Sequence, residues 1–63
     1  MSMTGTKILI HKGVYEKAKN PNKEIRINKE VKGEILGSNK DNRKEYYVKI
    51  LEGSKKGEEI IKK

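Results

Sequence analysis

Apolar residues in this chain occur in short runs in which every second side chain is polar. The segment 24–28 alternates cleanly, so that Ile25 and Ile27 would share one face of a strand while Arg26 occupies the other. The segment 45–51 follows the same pattern and is rich in β-branched and aromatic residues, which favour strands. Turn residues separate these runs, so the pattern predicts an all-β chain of short strands.

Five strands are predicted from these runs, and they cover residues 7–11, 24–28, 31–37, 45–51 and 58–61. In the third of them, Gly33 and Gly37 would share a face with Val31, and glycines at alternate positions indicate strong curvature or a close backbone neighbour. The segment 14–20 fits either a strand or a single helical turn stopped by Pro21. An extended conformation is favoured there.

The segment 31–37, a polar loop over 38–44, the run 46–51 and the glycine turn that follows resemble the middle hairpin of SH3-like small barrels. The resemblance implies an all-β fold, a small five-stranded antiparallel sheet that forms an SH3-like or partly open barrel. Because the chain ends soon after Ile61, little room remains for the last strand of that fold, and we expect closure to be incomplete or completed by a second subunit. A fold of this kind implies a binding scaffold and no particular ligand.

The chain has 63 residues and contains no cysteine, phenylalanine or tryptophan. It fits one small β-barrel domain, predicted over residues 6–63 after a flexible lead-in at 1–5. A domain of this size buries only about 60% of its unfolded surface, so we expect association into a homodimer to compete with a stable monomer. Without cysteine it has no disulfide or zinc–thiolate site, which fits a cytoplasmic location. Its longest apolar run, 8–10, is too short for a membrane span.

Catalytic chemistry lacks its usual parts in this sequence. The chain has one histidine, His11, and one aspartate, Asp41, so a nucleophile–base arrangement has too few members. Glu58 and Glu59 would project to opposite faces of a strand and would not form a carboxylate pair. Metal coordination needs three or four converging ligands, and neither common glycine-rich phosphate motif is present. We therefore expect a protein that is not an enzyme and needs no cofactor or metal.

Lysine supplies nearly all of the 16 cationic residues, and the net charge of the chain is +7. Lysines that meet phosphates release condensed counterions, so nucleic acid is the leading ligand. The shortage of arginine, whose fork reads guanine, disfavours sequence-specific recognition. The predicted nucleic-acid or partner surface lies on two neighbouring strands and their loop and comprises Lys32, Arg43, Lys44, Tyr47 and Lys49. Within it, Tyr47 is the aromatic side chain on which an unpaired base would stack. A secondary basic patch comprises Lys12, Lys17, Lys19 and Lys23.

Acidic residues are interleaved with the lysines, and this leaves other interpretations open. The alternative function is a small protein-binding module or inhibitor, of the phage or mobile-element type, that recognises an acidic surface of a host protein. In that case Leu36, Tyr47 and Leu51 would form the apolar centre of the surface. A third interpretation is self-assembly through edge strands. The simplest is an ordinary solvated sheet face on which Tyr47 packs against Leu36. The sequence does not decide between DNA, RNA and protein.

Overall fold

The computed structural model describes residues 4–38 and 45–62, which form one sheet of six strands. The strands are β1 (Lys7–Ile10), β2 (Gly13–Lys17), β3 (Glu24–Ile27), β4 (Val31–Ser38), β5 (Tyr46–Ile50) and β6 (Glu59–Lys62). Their order across the sheet is β1-β4-β5-β6-β2-β3, and every neighbouring pair is antiparallel. The all-β antiparallel prediction is confirmed. The described residues contain no helix long and apolar enough to cross a membrane.

The sheet has six strands, so the predicted count of five is wrong. The additional strand is β2, which falls in the segment where the sequence favours an extended conformation over a helical turn. Because β2 lies between β6 and β3 and pairs with both, the extended form gives its backbone a hydrogen-bonding partner on each side. The other five strands match the predicted runs to within one residue at each end.

A two-residue link, His11 and Lys12, joins β1 to β2, although these strands stand four positions apart in the sheet. Four steps across a flat sheet would separate them by about 19 Å. The three Cα steps from Ile10 to Gly13 span at most about 11 Å. The sheet is therefore strongly curled. Within the described ranges, β1 and β3 remain its two edges and do not pair with each other, so the sheet is not closed into a barrel.

The curl turns one face of the sheet inward, and this inner face carries the hydrophobic core. The core side chains are all isoleucine or valine, namely Ile10, Ile25, Ile27, Val31, Ile35, Val48, Ile50 and Ile60. Ile8, Tyr15 and Tyr46 pack against them. No polar or charged side chain in the described part of the chain is buried. Apolar burial, at about 1.5 to 3 kcal/mol for each fully buried large side chain, is thus the main stabilising term.

Gly33 lies on the inner face of β4, directly beneath two core side chains. A Cβ at this position would stand 2.5 Å from Ile10 Cδ1 and 2.7 Å from Val48 Cγ1, well inside van der Waals contact. A side chain here would therefore force Ile10 or Val48 to shift, which favours glycine. The sequence predicts strong curvature or a close backbone neighbour at this glycine, and the close neighbours that the structure places there are side-chain atoms of Ile10 and Val48.

The alternation of β4 breaks at Leu36, where its register against β5 shifts. A β-bulge of this kind inserts one extra residue and moves the following side chain to the other face. Gly37 consequently pairs with Tyr47 on the outer side of the sheet. The expectation that Gly37 shares a face with Val31 is therefore wrong.

Replacing Gly33 by alanine should lower the free energy of unfolding by about 1 to 3 kcal/mol, because the added methyl group overpacks the core. Urea denaturation followed by circular dichroism measures the change. In an Ile10→Val background, which lacks the Cδ1 atom nearest to the new methyl group, the same substitution should cost less. An equal cost in both backgrounds would show that the methyl group does not meet Ile10.

Candidate binding groove and the predicted basic surface

The predicted binding surface lies partly on the outer face of the sheet, which is the face opposite the core. Lys32 of β4 and Tyr47 and Lys49 of β5 occupy alternate positions to the buried residues of their strands. These three side chains therefore share the outer face of two neighbouring strands, as the sequence predicts. Arg43 and Lys44, the other two members, lie outside the described residues.

Lys49 stands in a row of alternating charges that crosses the outer face. Glu34 of β4 and Glu59 of β6 lie directly opposite it on either side. Lys7 Nζ lies 3.8 Å from Glu34 Oε1, and Lys19 Nζ lies 3.9 Å from Glu59 Oε2. We call these five side chains the charge row. The row thus sets two carboxylates against three lysines, so the outer face offers a polyanion less positive charge than its lysine count suggests.

Tyr47 is half-buried between Gly37 of β4 and Ile61 of β6. Ile61 is only 8% exposed although it lies outside the core cluster, so this part of the outer face is a small apolar area. Leu36 follows on the neighbouring strand and is 37% exposed. Leu51, the third member of the apolar centre expected for a protein partner, is half-buried beyond the end of β5.

The secondary basic patch is divided in the structure. Lys17 Nζ lies 3.5 Å from Glu58 Oε1, and Lys19 belongs to the charge row. Lys12 and Lys23 form no ion pair with the described carboxylates and flank β2 at opposite ends. About 16 Å of extended chain separates Lys12 from Lys17. The four lysines do not form one continuous cationic surface.

His11, in the link between β1 and β2, forms hydrogen bonds with two other residues. Its Nδ1 donates a hydrogen bond to Glu30 Oε1 at 3.0 Å, and its carbonyl oxygen accepts one from the Tyr15 hydroxyl at 2.7 Å. Both contacts are exposed to solvent. Among the residues that the structure describes, no three or more histidine or carboxylate side chains converge as metal ligands would.

A groove runs between β3 and the turn that joins β5 to β6. It consists of two adjoining cavities of about 380 Å³ and 630 Å³, which share Arg26, Ser54 and Lys55 in their walls. The smaller cavity includes Ile27, Val31 and Ile50 in its lining, so its floor reaches the core. The larger one continues toward Glu24 at the start of β3. We call this feature the β3 groove.

The turn that forms the far wall of the β3 groove is fixed by its backbone. Gly53 and Gly57 have φ values of 87° and 93°, a conformation that favours glycine. The Gly57 amide donates to the Ile50 carbonyl at 2.8 Å, and the Lys56 amide donates to the Gly53 carbonyl at 3.2 Å. This compact turn presents Lys55 and Lys56 beside the groove.

Four cations line the β3 groove without an ion-pair partner among the described residues: Arg26, Lys29, Lys55 and Lys56. Of the three carboxylates in its walls, Glu58 pairs with Lys17, Glu52 Oε1 accepts the Lys32 amide at 3.0 Å, and Glu24 forms no ion pair with the described cations. The groove therefore brings four such cations together, whereas Lys12 and Lys23, which also form no ion pair with the described carboxylates, flank β2 at opposite ends.

Lys29, Lys55 and Lys56 do not belong to the surface predicted from the sequence. In the sequence they stand in turns next to or near glutamates, which makes them resemble locally compensated charge. The sequence does show two lysines between Gly53 and Gly57, and this pair was the available signal for a cationic turn. That the turn lies beside Arg26 follows only from the pairing of distant strands.

Comparison of the chain with protein-family models, with curated proteins and with solved structures finds no match.

Replacing Lys49 by glutamate should lower the free energy of unfolding by roughly 0.5 to 1.5 kcal/mol more than replacing it by glutamine. The reason is that a third carboxylate would then stand between two others directly opposite it on neighbouring strands. Urea denaturation at low salt measures the difference, which should shrink in about 1 M NaCl, where the screening length falls to about 3 Å. Identical unfolding of the two variants at low salt would mean that the charge row carries no electrostatic interaction.

Proposed function

We propose that this chain is a small, basic, non-catalytic protein that docks on nucleic acid without sequence specificity. The single observation that carries the proposal is the set of four unpaired cations along the β3 groove. Phosphate oxygens would take the place of the missing carboxylates. The SH3-like resemblance and its partly open form belong to the same proposal, as a scaffold that presents this groove.

Non-specific docking fits the kind of cation in the groove. Three of the four are lysines, which meet phosphates as flexible point charges. Arg26 alone offers the planar fork that reads a base edge in two hydrogen bonds. Four phosphate contacts on duplex DNA correspond to a slope of about −3.6 in log affinity against log salt. Lys32, Tyr47 and Lys49 of the predicted outer surface would extend the contact at positions where the carboxylates of the charge row do not repel phosphates.

A second candidate function is binding of a protein with an acidic surface. One observation favours it specifically: the β3 groove runs beside a strand edge that no other part of the described chain covers. The same cations would then attract carboxylates, and the apolar floor of the smaller cavity would receive an apolar side chain.

Replacing Lys55 and Lys56 together by glutamine should weaken nucleic-acid binding and lower the magnitude of the salt slope on duplex DNA by up to about 1.8, since two phosphate contacts are lost. Fluorescence anisotropy of a labelled duplex across a series of NaCl concentrations measures both quantities. The same series with a labelled single strand compares the two forms of nucleic acid.

The matched control replaces Lys7 and Lys19 by glutamine, because it removes the same net charge from the charge row. It should change the slope little. Equal losses in the two double variants would indicate that net charge alone drives binding, and a native chain that shifts neither probe at low salt would exclude the nucleic-acid function.

A further inference from the structure

We propose that the free edge of β3 accepts an extended acidic segment of a partner protein, which adds to the sheet as a seventh strand. This inference rests on the second candidate function and names the form that the acidic partner takes. Strand addition of this kind uses backbone hydrogen bonds for affinity and pockets along the edge for specificity.

The backbone of β3 has its free hydrogen-bonding groups on the side of the groove. The Lys17 amide donates to the Lys23 carbonyl at 3.0 Å, whereas the Ala18 amide donates to Glu59 on β6, the other neighbour of β2. Hydrogen-bonded pairs alternate along an antiparallel ladder. Following the register from Lys23, the groups of Glu24 and Arg26 therefore point away from β2.

The edge has some of the features that discourage pairing and lacks others. Proteins block exposed edges with short strands, charged side chains, proline, bulges or a covering segment, and β3 is a strand of 4 residues in which Glu24 and Arg26 are charged. The strand β3 contains no proline, and its register with β2 shows no bulge. Two of its four side chains, Ile25 and Ile27, point into the core and hold the strand in place. An incoming strand would thus meet a regular, anchored edge.

The cavities of the β3 groove lie along this edge. They extend from Glu24, at the start of β3, to Lys29, two residues beyond its end, over about 16 Å of chain. Since successive side chains of an added strand alternate between faces, apolar residues at every second position would enter the smaller cavity. The polar ones between them would face outward.

Charge decides which segment fits. Arg26, Lys29, Lys55 and Lys56 border the groove and have no carboxylate partner among the described residues. Glutamate or aspartate side chains on the incoming strand would supply those partners. Strand addition requires a peptide, because an amide and a carbonyl at every second residue match the paired free groups of Glu24 and Arg26. A sugar–phosphate chain lacks amide donors in that repeat.

The test uses a fluorescein-labelled heptapeptide of alternating glutamate and valine, with oligothymidylate as the nucleic-acid probe. Binding is measured to the full chain and to two variants, Glu24→Pro and Glu24→Ala. Both variants remove the same carboxylate, but only proline also removes the free amide, and proline is tolerated at the first residue of an edge strand. Peptide affinity should be about three- to tenfold lower for Glu24→Pro than for Glu24→Ala. Oligothymidylate affinity should be the same for both variants.

Two further measurements make the result independent of how well the proline variant folds. Amide hydrogen exchange of the unmodified chain should slow at Glu24 and Arg26 when the peptide saturates it. Of two peptides that are N-methylated at either all valines or all glutamates, one should lose binding and the other should retain it, because only one edge of the added strand faces β3.

The outcomes separate this inference from the function on which it rests. Peptide binding that is equal in the two variants, with unchanged exchange at Glu24 and Arg26, would overturn strand addition while acidic-partner binding stands. Failure of the peptide to bind at all, with retention of oligothymidylate, would overturn both and leave the nucleic-acid function.

Discussion

The short link between β1 and β2 determines the shape of the molecule. Two residues join strands that stand four positions apart in the sheet, and no flat sheet satisfies that distance. The resulting curl encloses a hydrophobic core in a chain of only 63 residues. Ile10 from one edge and Ile25 and Ile27 from the other then belong to the same core. Gly33 permits the closest part of this packing, because a Cβ at this position would overlap side-chain atoms of Ile10 and Val48.

Carboxylates are distributed unevenly over this curled sheet, and their placement determines where positive charge is left. Two of them stand in the charge row, where cross-strand register puts each beside a lysine. Glu52 is held by a backbone amide and Glu58 by Lys17. The β5–β6 turn then contributes two lysines to a groove whose own carboxylates are mostly engaged. A net charge of +7 says nothing about this distribution.

Local pattern was sufficient to predict five of the six strands and most of the core. Clean alternation at Ile25 and Ile27, and at Val48 and Ile50, assigns both the strand and its inward face. The segment of β2 has no such alternation, so its status as a sixth strand depends on its neighbours β6 and β3. The bulge at Leu36 likewise depends on how β4 pairs with β5, so the pattern within β4 alone does not predict it. The site was less predictable because the groove joins residues 24–29 to residues 52–58, which only long-range pairing brings together.

The cations of the β3 groove do not by themselves distinguish a phosphate chain from an acidic peptide, because both present negative charge at a similar spacing. Lysine adapts to either ligand, since its ammonium group has no preferred plane. The two ligands differ in the hydrogen bonds that they can form with the edge of β3. The amides and carbonyls of Glu24 and Arg26 are fixed by the ladder with β2, and they can be satisfied together only by a chain that offers both an acceptor and a donor at every second residue. The choice of ligand therefore depends on the backbone of β3, while the charge of the groove sets how strongly either ligand is attracted.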